Sequence, residues 1–137
     1  MSARAVLAAA VAARLRAEPA LAGLAVFDAP PVRAALPYAV VEEAAFTAWG
    51  TKSWAGREAR FAVILWDAGE RPTRLRELLG TVDEAAEELP VALGQGWRTA
   101  SARVVRSRIA RAPGGEMGPD RWVGSVEVVV RMWREDA

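Results

Sequence analysis

The acidic side chains are the first place to look for chemistry, because this chain contains neither cysteine nor histidine. Without them there is no disulfide, no thiolate or imidazole to bind zinc, no cysteine nucleophile, and no histidine-based triad or proton shuttle. Carboxylate-only catalysis needs two acids on one side of an element. Glu42 and Glu43 are neighbours in an extended segment, so they project to opposite faces. Glu84, Glu87 and Glu88 follow the polar side of a helical stretch and read as a solvated face. Asp67 and Glu70 are placed as a catalytic pair would be, yet Gly69 and Pro72 beside them better fit a turn that starts a helix with acidic charge. Gly50-Thr51-Lys52-Ser53 ends like a phosphate-binding loop. That motif needs glycine directly before the lysine and a helix after it, whereas threonine precedes Lys52 and a strand pattern follows. The expectation is a protein that is not an enzyme, with no catalytic residue, cofactor or metal.

Tryptophan and arginine supply the other candidates. The chain holds 6 tryptophans. Trp66, Trp97 and Trp133 lie in strand patterns and read as packing. Trp49 and Trp54 flank Gly50 and Lys52 in a stretch, Thr47–Gly56, that has two glycines and no period and reads as a mobile loop. Either one of them folds back over the core or both dock a partner, a role in which tryptophan is enriched. Arg98–Arg111 carries five arginines and no acid. Arg98, Arg106 and Arg108 share one strand parity, while Arg103 and Arg111 share the other with Val105 and Ile109. Val105 and Ile109 are expected on the covered side of a sheet, and Arg106 and Arg108 on its bare side. There they form either a solvated face or a surface for acids or phosphates. Trp49, Lys52, Trp54, Arg106 and Arg108 are the candidate interface residues.

The elements that would position them can be read from periodicity. Ser2 is placed to cap a helix over Ala3–Ala17, with Leu7, Val11 and Leu15 as its apolar stripe. Leu24–Phe27 is a short strand, and Pro37–Val41 opens another that can run to Phe46. Arg60–Asp67 is apolar on both faces and reads as a central strand covered on both sides. Pro72 starts a helix with Leu75, Leu78, Leu79, Val82 and Leu89 at 3.6 spacing, and Pro90 ends it. Trp97–Ile109 and Trp122–Trp133 are two closing strands joined by the tip Pro113–Pro119. In the last strand, Val126, Val128, Val130 and Met132 oppose Glu127 and Arg131.

At 137 residues this is one domain's length, spanning 1–137, and 18 basic against 17 acidic residues leave a net charge of +1. So small a net charge neither requires nor excludes nucleic acid, because what counts is clustering. No stretch reaches the ~18 apolar residues of a membrane-spanning helix. Val6–Ala13 is too short and runs into Arg14 and Arg16, so it reads as a helix and not a signal peptide. A chain made in the cytoplasm, and kept there or carried in a larger particle, is expected. The order α-β-β-β-α-β-β predicts an α+β fold, an antiparallel or mixed sheet of about four to five strands with two helices packed against it.

Several of these features together resemble a known family. They are the leucine-striped first helix, Val26-Phe27-Asp28 with its following prolines, and Pro37-Tyr38-Ala39-Val40-Val41. After these come a glycine-bearing hairpin loop, a strand ending Leu65-Trp66, the Leu75…Leu79…Val82…Leu89 helix, and a last strand with Val128-Val129-Val130-Arg131. The chain resembles the tail-completion, or tail-terminator, proteins of long-tailed phages and phage-derived gene transfer agents. The resemblance implies a non-enzymatic virion subunit at the head–tail junction. It implies a homo-oligomer, a hexameric ring on the tail tube protein that stops tube growth and meets the connector, or stopper, protein of the head. DNA would pass through without sequence-specific binding, and no membrane is involved. The alternatives are another head-to-tail connector subunit (adaptor or stopper), or a small nucleic-acid-binding module using the Arg98–Arg111 strand.

Overall fold

The computed structural model describes residues 2–112 and 121–135. The expected tip Pro113–Pro119 lies outside the described residues. Helix α1 (Ala3–Ala17) begins where expected, with the Ser2 hydroxyl accepting the Ala5 amide at 3.1 Å. Its apolar stripe, Val6, Leu7, Val11 and Leu15, is buried. A single 3-10 turn, Pro19–Leu21, leads to β1 (Ala25–Phe27). Then come β2 (Tyr38–Val41), β3 (Ala45–Ala48), β4 (Trp54–Ala68), α2 (Thr73–Ala85), β5 (Ala92–Gly94), β6 (Trp97–Ala112) and β7 (Arg121–Glu135).

The seven strands form one sheet in the order β1-β2-β4-β7-β6-β5, with β3 also paired to β4. The β1–β2 pair is parallel and the others are antiparallel. The α+β class holds, but the sheet has more strands than the four to five expected, for two reasons. The strand expected from Pro37 to Phe46 is interrupted at Glu42–Ala44, so β2 and β3 pair separately with Val63–Trp66 and Arg57–Arg60 of β4. The Glu42 amide still donates to the Ala62 carbonyl at 2.9 Å, so the interruption is local. The three-residue β5 is too short to show a period.

Both helices pack on one face. That face carries Phe61, Val63 and Leu65 of β4 and Val126, Val128, Val130 and Met132 of β7, all buried in a single core. Gly124 lies under α2, where a Cβ would come within 2.7 Å of Leu79 Cδ1 and force that side chain to shift. Helix α2 runs unbroken through Gly80 but stops at Ala85, short of the expected Leu89. Its end tightens: the amides of Glu87 and Glu88 donate three residues back, to Glu84 and Ala85, at 3.2 and 3.0 Å. Strand β4 is central, as its composition predicted, but it is covered on one side only. Ala62, Ile64 and Trp66 point to the face that carries no helix and are half-buried.

Two β-bulges in β6, between Thr99 and Ser101 and between Val104 and Arg106, correct the parity reading of the arginines. Each extra residue flips the side-chain alternation. Val105, expected on the covered side, is 48% exposed, and Val104 takes the core-facing place. Ile109 packs against the core as expected. Directly opposed residues of paired strands share a face. Arg98, Arg103, Arg106 and Arg108 oppose Trp133, Val129, Glu127 and Ser125, so all four lie on the bare face. Arg111 opposes Trp122 on the helix side, with its guanidinium 5.6 Å from that ring's centre.

Candidate assembly interface

Three of the carboxylates that could have done chemistry, Asp67, Glu87 and Glu88, hold elements of the fold together. Asp67, at the end of β4, is 3% exposed. It accepts two bonds from Arg74 of α2, at 2.6 and 2.9 Å, and one from the Ala68 amide at 2.8 Å. Glu87 caps the Val104 amide at 2.9 Å, and Glu88 receives Arg14 of α1 at 3.0 Å. Among the described residues no group of three or more acidic side chains is placed to hold a metal ion.

The Asp67 clamp carries a pH signature. The Arg74 guanidinium lowers its pKa most, burial opposes this, and the Ala68 amide lowers it further, leaving it below the ordinary carboxylate value. A depressed folded-state pKa contributes stability that is fully present above about pH 4, the unfolded value, and is lost as pH falls through the folded value. Asp67→Asn is expected to cost about 1–2 kcal/mol at pH 7, discounted because Arg74 faces water, and to flatten the loss of stability in acid. Urea unfolding at several pH values measures both.

The stretch Thr47–Gly56, expected as a mobile loop, is instead a β-hairpin joining β3 to β4. The Trp49 amide donates to the Gly56 carbonyl at 3.0 Å, and the Thr51 amide to the Trp54 carbonyl at 3.2 Å. Gly56 is required there, since a Cβ would fall 1.5 Å from the Trp49 carbonyl oxygen. Lys52 sits exposed at the turn, beside the Thr51 and Ser53 hydroxyls 3.1 Å apart. Trp49 and Trp54 pack edge-on at 5.0 Å between ring centres, and Trp54 meets Trp133 at 6.2 Å. Arg131 lies 5.5 Å over Trp49 and Arg98 lies 5.9 Å over Trp133. Neither Trp49 nor Trp54 belongs to the buried core; they form an aromatic cluster at one end of the bare face.

The arginine row crosses the same face. No side-chain hydrogen bond or ion pair ties Arg103, Arg106 or Arg108 to another described residue, although Glu127 stands opposite Arg106 in the ladder. Toward the opposite edge of this face is a groove of about 490 Å³, whose lining includes Pro30, Pro31, Tyr38, Val40, Ile64 and Trp66 together with the acids Asp28, Glu42 and Glu43. The sequence reading assigned Trp66 to packing and did not find this groove. The apolar second face of β4 was the available signal. The structure thus places Trp49, Lys52 and Trp54 together in the hairpin, and Arg106 and Arg108 together on β6.

A face with unpaired cations, half-covered aromatic rings and an open apolar groove is fitted for contact with another molecule. Comparison with known proteins gives that arrangement a context. The family model of tail completion protein gp17 matches residues 9–131. No curated protein matches. Among solved structures, the chain is similar to a chain of "Virion of native gene transfer agent (GTA) particle", with a TM-score of 0.76 and 25% identity. The likeness covers 96% of this chain and 99% of that one. The fold, read residue by residue above, and the match over 9–131 agree, and the chain belongs to the tail completion protein family.

Proposed function

We propose that this protein is a structural subunit of a tailed particle, which caps the tail tube as a closed ring of six copies. The ring stops tube elongation and presents the surface to which the DNA-filled head joins, and DNA passes through it without sequence-specific contact. The observation that carries this reading is the family match over residues 9–131, supported by whole-chain likeness to a virion chain. The structure adds a physical reason for assembly: one face of the sheet is left bare with apolar and cationic side chains on it. The test is the copy number and position of this chain in purified particles, by electron microscopy together with native mass. Six copies between tube and head support the proposal, and a single copy, or a place elsewhere in the particle, contradicts it.

The Trp49–Trp54–Trp133 cluster supplies a second check. Each edge-on aromatic pair is worth about 0.5–1.5 kcal/mol beyond burial, so Trp49→Ala with Trp54→Ala is expected to cost the subunit about 1–3 kcal/mol in ring contacts, plus the area these half-buried rings cover. The variant should stay folded yet cap tubes poorly, as seen by thermal unfolding and by tube-binding assays. Loss of the whole fold would place these rings in the core.

A nucleic-acid-binding module is the second reading, favoured by the four arginines that the bulges bring to one face. Four phosphate contacts would give a salt slope of about −3.6 in log K against log salt on duplex DNA. A steep slope of that size, with the protein monomeric or dimeric, selects this reading.

A further inference from the structure

The sheet ends in two unlike edges. On one side, β5 pairs with β6 only at Trp97 and Arg98. The Val91 carbonyl and the Glu87 carboxylate take the amides of Thr99 and Val104, at 2.8 and 2.9 Å. From Val105 to Ala110, no described strand lies on the outer side of β6. Arg106 and Arg108 border this open stretch, and the bulge turns Val105 outward beside them, 48% exposed. On the opposite side, β3 pairs only with β4, and the interruption between β2 and β3 presents Glu42 and Glu43. Both residues are exposed, and Asp28 joins them in the lining of one groove. The contact they make is a long one, Arg4 to Glu43 at 3.5 Å, with the Glu43 side chain 74% exposed.

An open strand edge is a template for pairing, and its charges decide with what. Two β6 edges would set arginine against arginine, and two β2–β3 edges would set carboxylate against carboxylate. Only the unlike pair brings opposite charges together. We infer that the contact between neighbouring copies joins the β6 edge of one copy, through Arg106 and Arg108, to the Glu42–Glu43 edge of the next. This rests on the ring reading above. Because the two edges lie on opposite sides of the sheet, every copy offers one of each. The contact is heterologous, and repetition closes it into a ring.

Two charge-reversed proteins test this, Arg106→Glu with Arg108→Glu, and Glu42→Arg with Glu43→Arg. Neither can join its own kind, because each carries like charges on both edges. Mixed in equal amounts, they can alternate around a ring with an even number of places. Native mass and capping of purified tail tubes are measured for wild type, each variant and the mixture, with thermal unfolding to check folding. The expected result is ring mass and capping for wild type and the mixture, and at least a tenfold loss of both for each variant alone. A mixture that stays unassembled, or a variant that assembles alone as wild type does, overturns the contact while a wild-type ring keeps the ring reading. A wild type that forms no ring in solution or on tubes overturns both. If a reversed variant misfolds, single-cysteine copies Glu43→Cys and Arg108→Cys, in a chain without native cysteine, are mixed on tubes with a short bismaleimide. Cross-linked dimers support the contact and their absence overturns it.

Discussion

Arg106→Glu with Arg108→Glu is expected to cut the yield of joined particles by about a hundredfold or more. The side chains project from the same face of β6 and have no described ion-pair partner, so reversing them costs the subunit about 1 kcal/mol or less, from the like charge then set opposite Glu127. Close charge pairs across protein contacts are worth about 1.5 kcal/mol or more each. Losing two removes about 3 kcal/mol from every contact, a hundredfold in its equilibrium. Electron microscopy of lysates should show heads and tails apart, with the variant unincorporated. If particles instead form normally and fail only to deliver DNA, the arginines line the channel and the contact lies elsewhere.

Leu65→Ala and Ile64→Ala, neighbours on β4, should differ sharply. Leu65 is fully buried beneath the helices, at 0% exposure, and truncating it should cost about 2–5 kcal/mol. That is a large share of the 5–15 kcal/mol that typically holds a protein together. Ile64 is half-buried on the bare face, so its truncation removes little area from the isolated subunit and should cost about 1 kcal/mol. Urea unfolding of both variants measures the difference. Equal losses would mean that the second face is packed as tightly as the first.

The long elements were legible in the sequence because their side-chain periods are long. Leu7, Val11 and Leu15 mark α1, and the alternation from Val126 to Met132 marks β7, with the buried faces found where expected. The short strands were not, since Ala92–Gly94 holds too few residues to show a period and Ala45–Ala48 follows an interruption. The hairpin at Trp49–Trp54 looked unstructured because its order comes from cross-strand bonds and ring contacts with Trp133, some eighty residues on. The candidate interface was half visible. Arg106 and Arg108 share a face whatever the bulges do, because none falls between them. Arg103 joins them only through the bulge before Arg106, and strict alternation cannot show that. The sequence reading put Glu42 and Glu43 in a strand, and their place in the interruption between β2 and β3, on the side of the sheet away from the arginine edge, is a fact of strand order.

The claim that this chain terminates the tail tube is tested most directly by electron microscopy of particles made without it. The account predicts tail tubes of variable, excess length that remain unjoined to DNA-filled heads. Tubes of normal length joined to heads in the absence of this chain would contradict it.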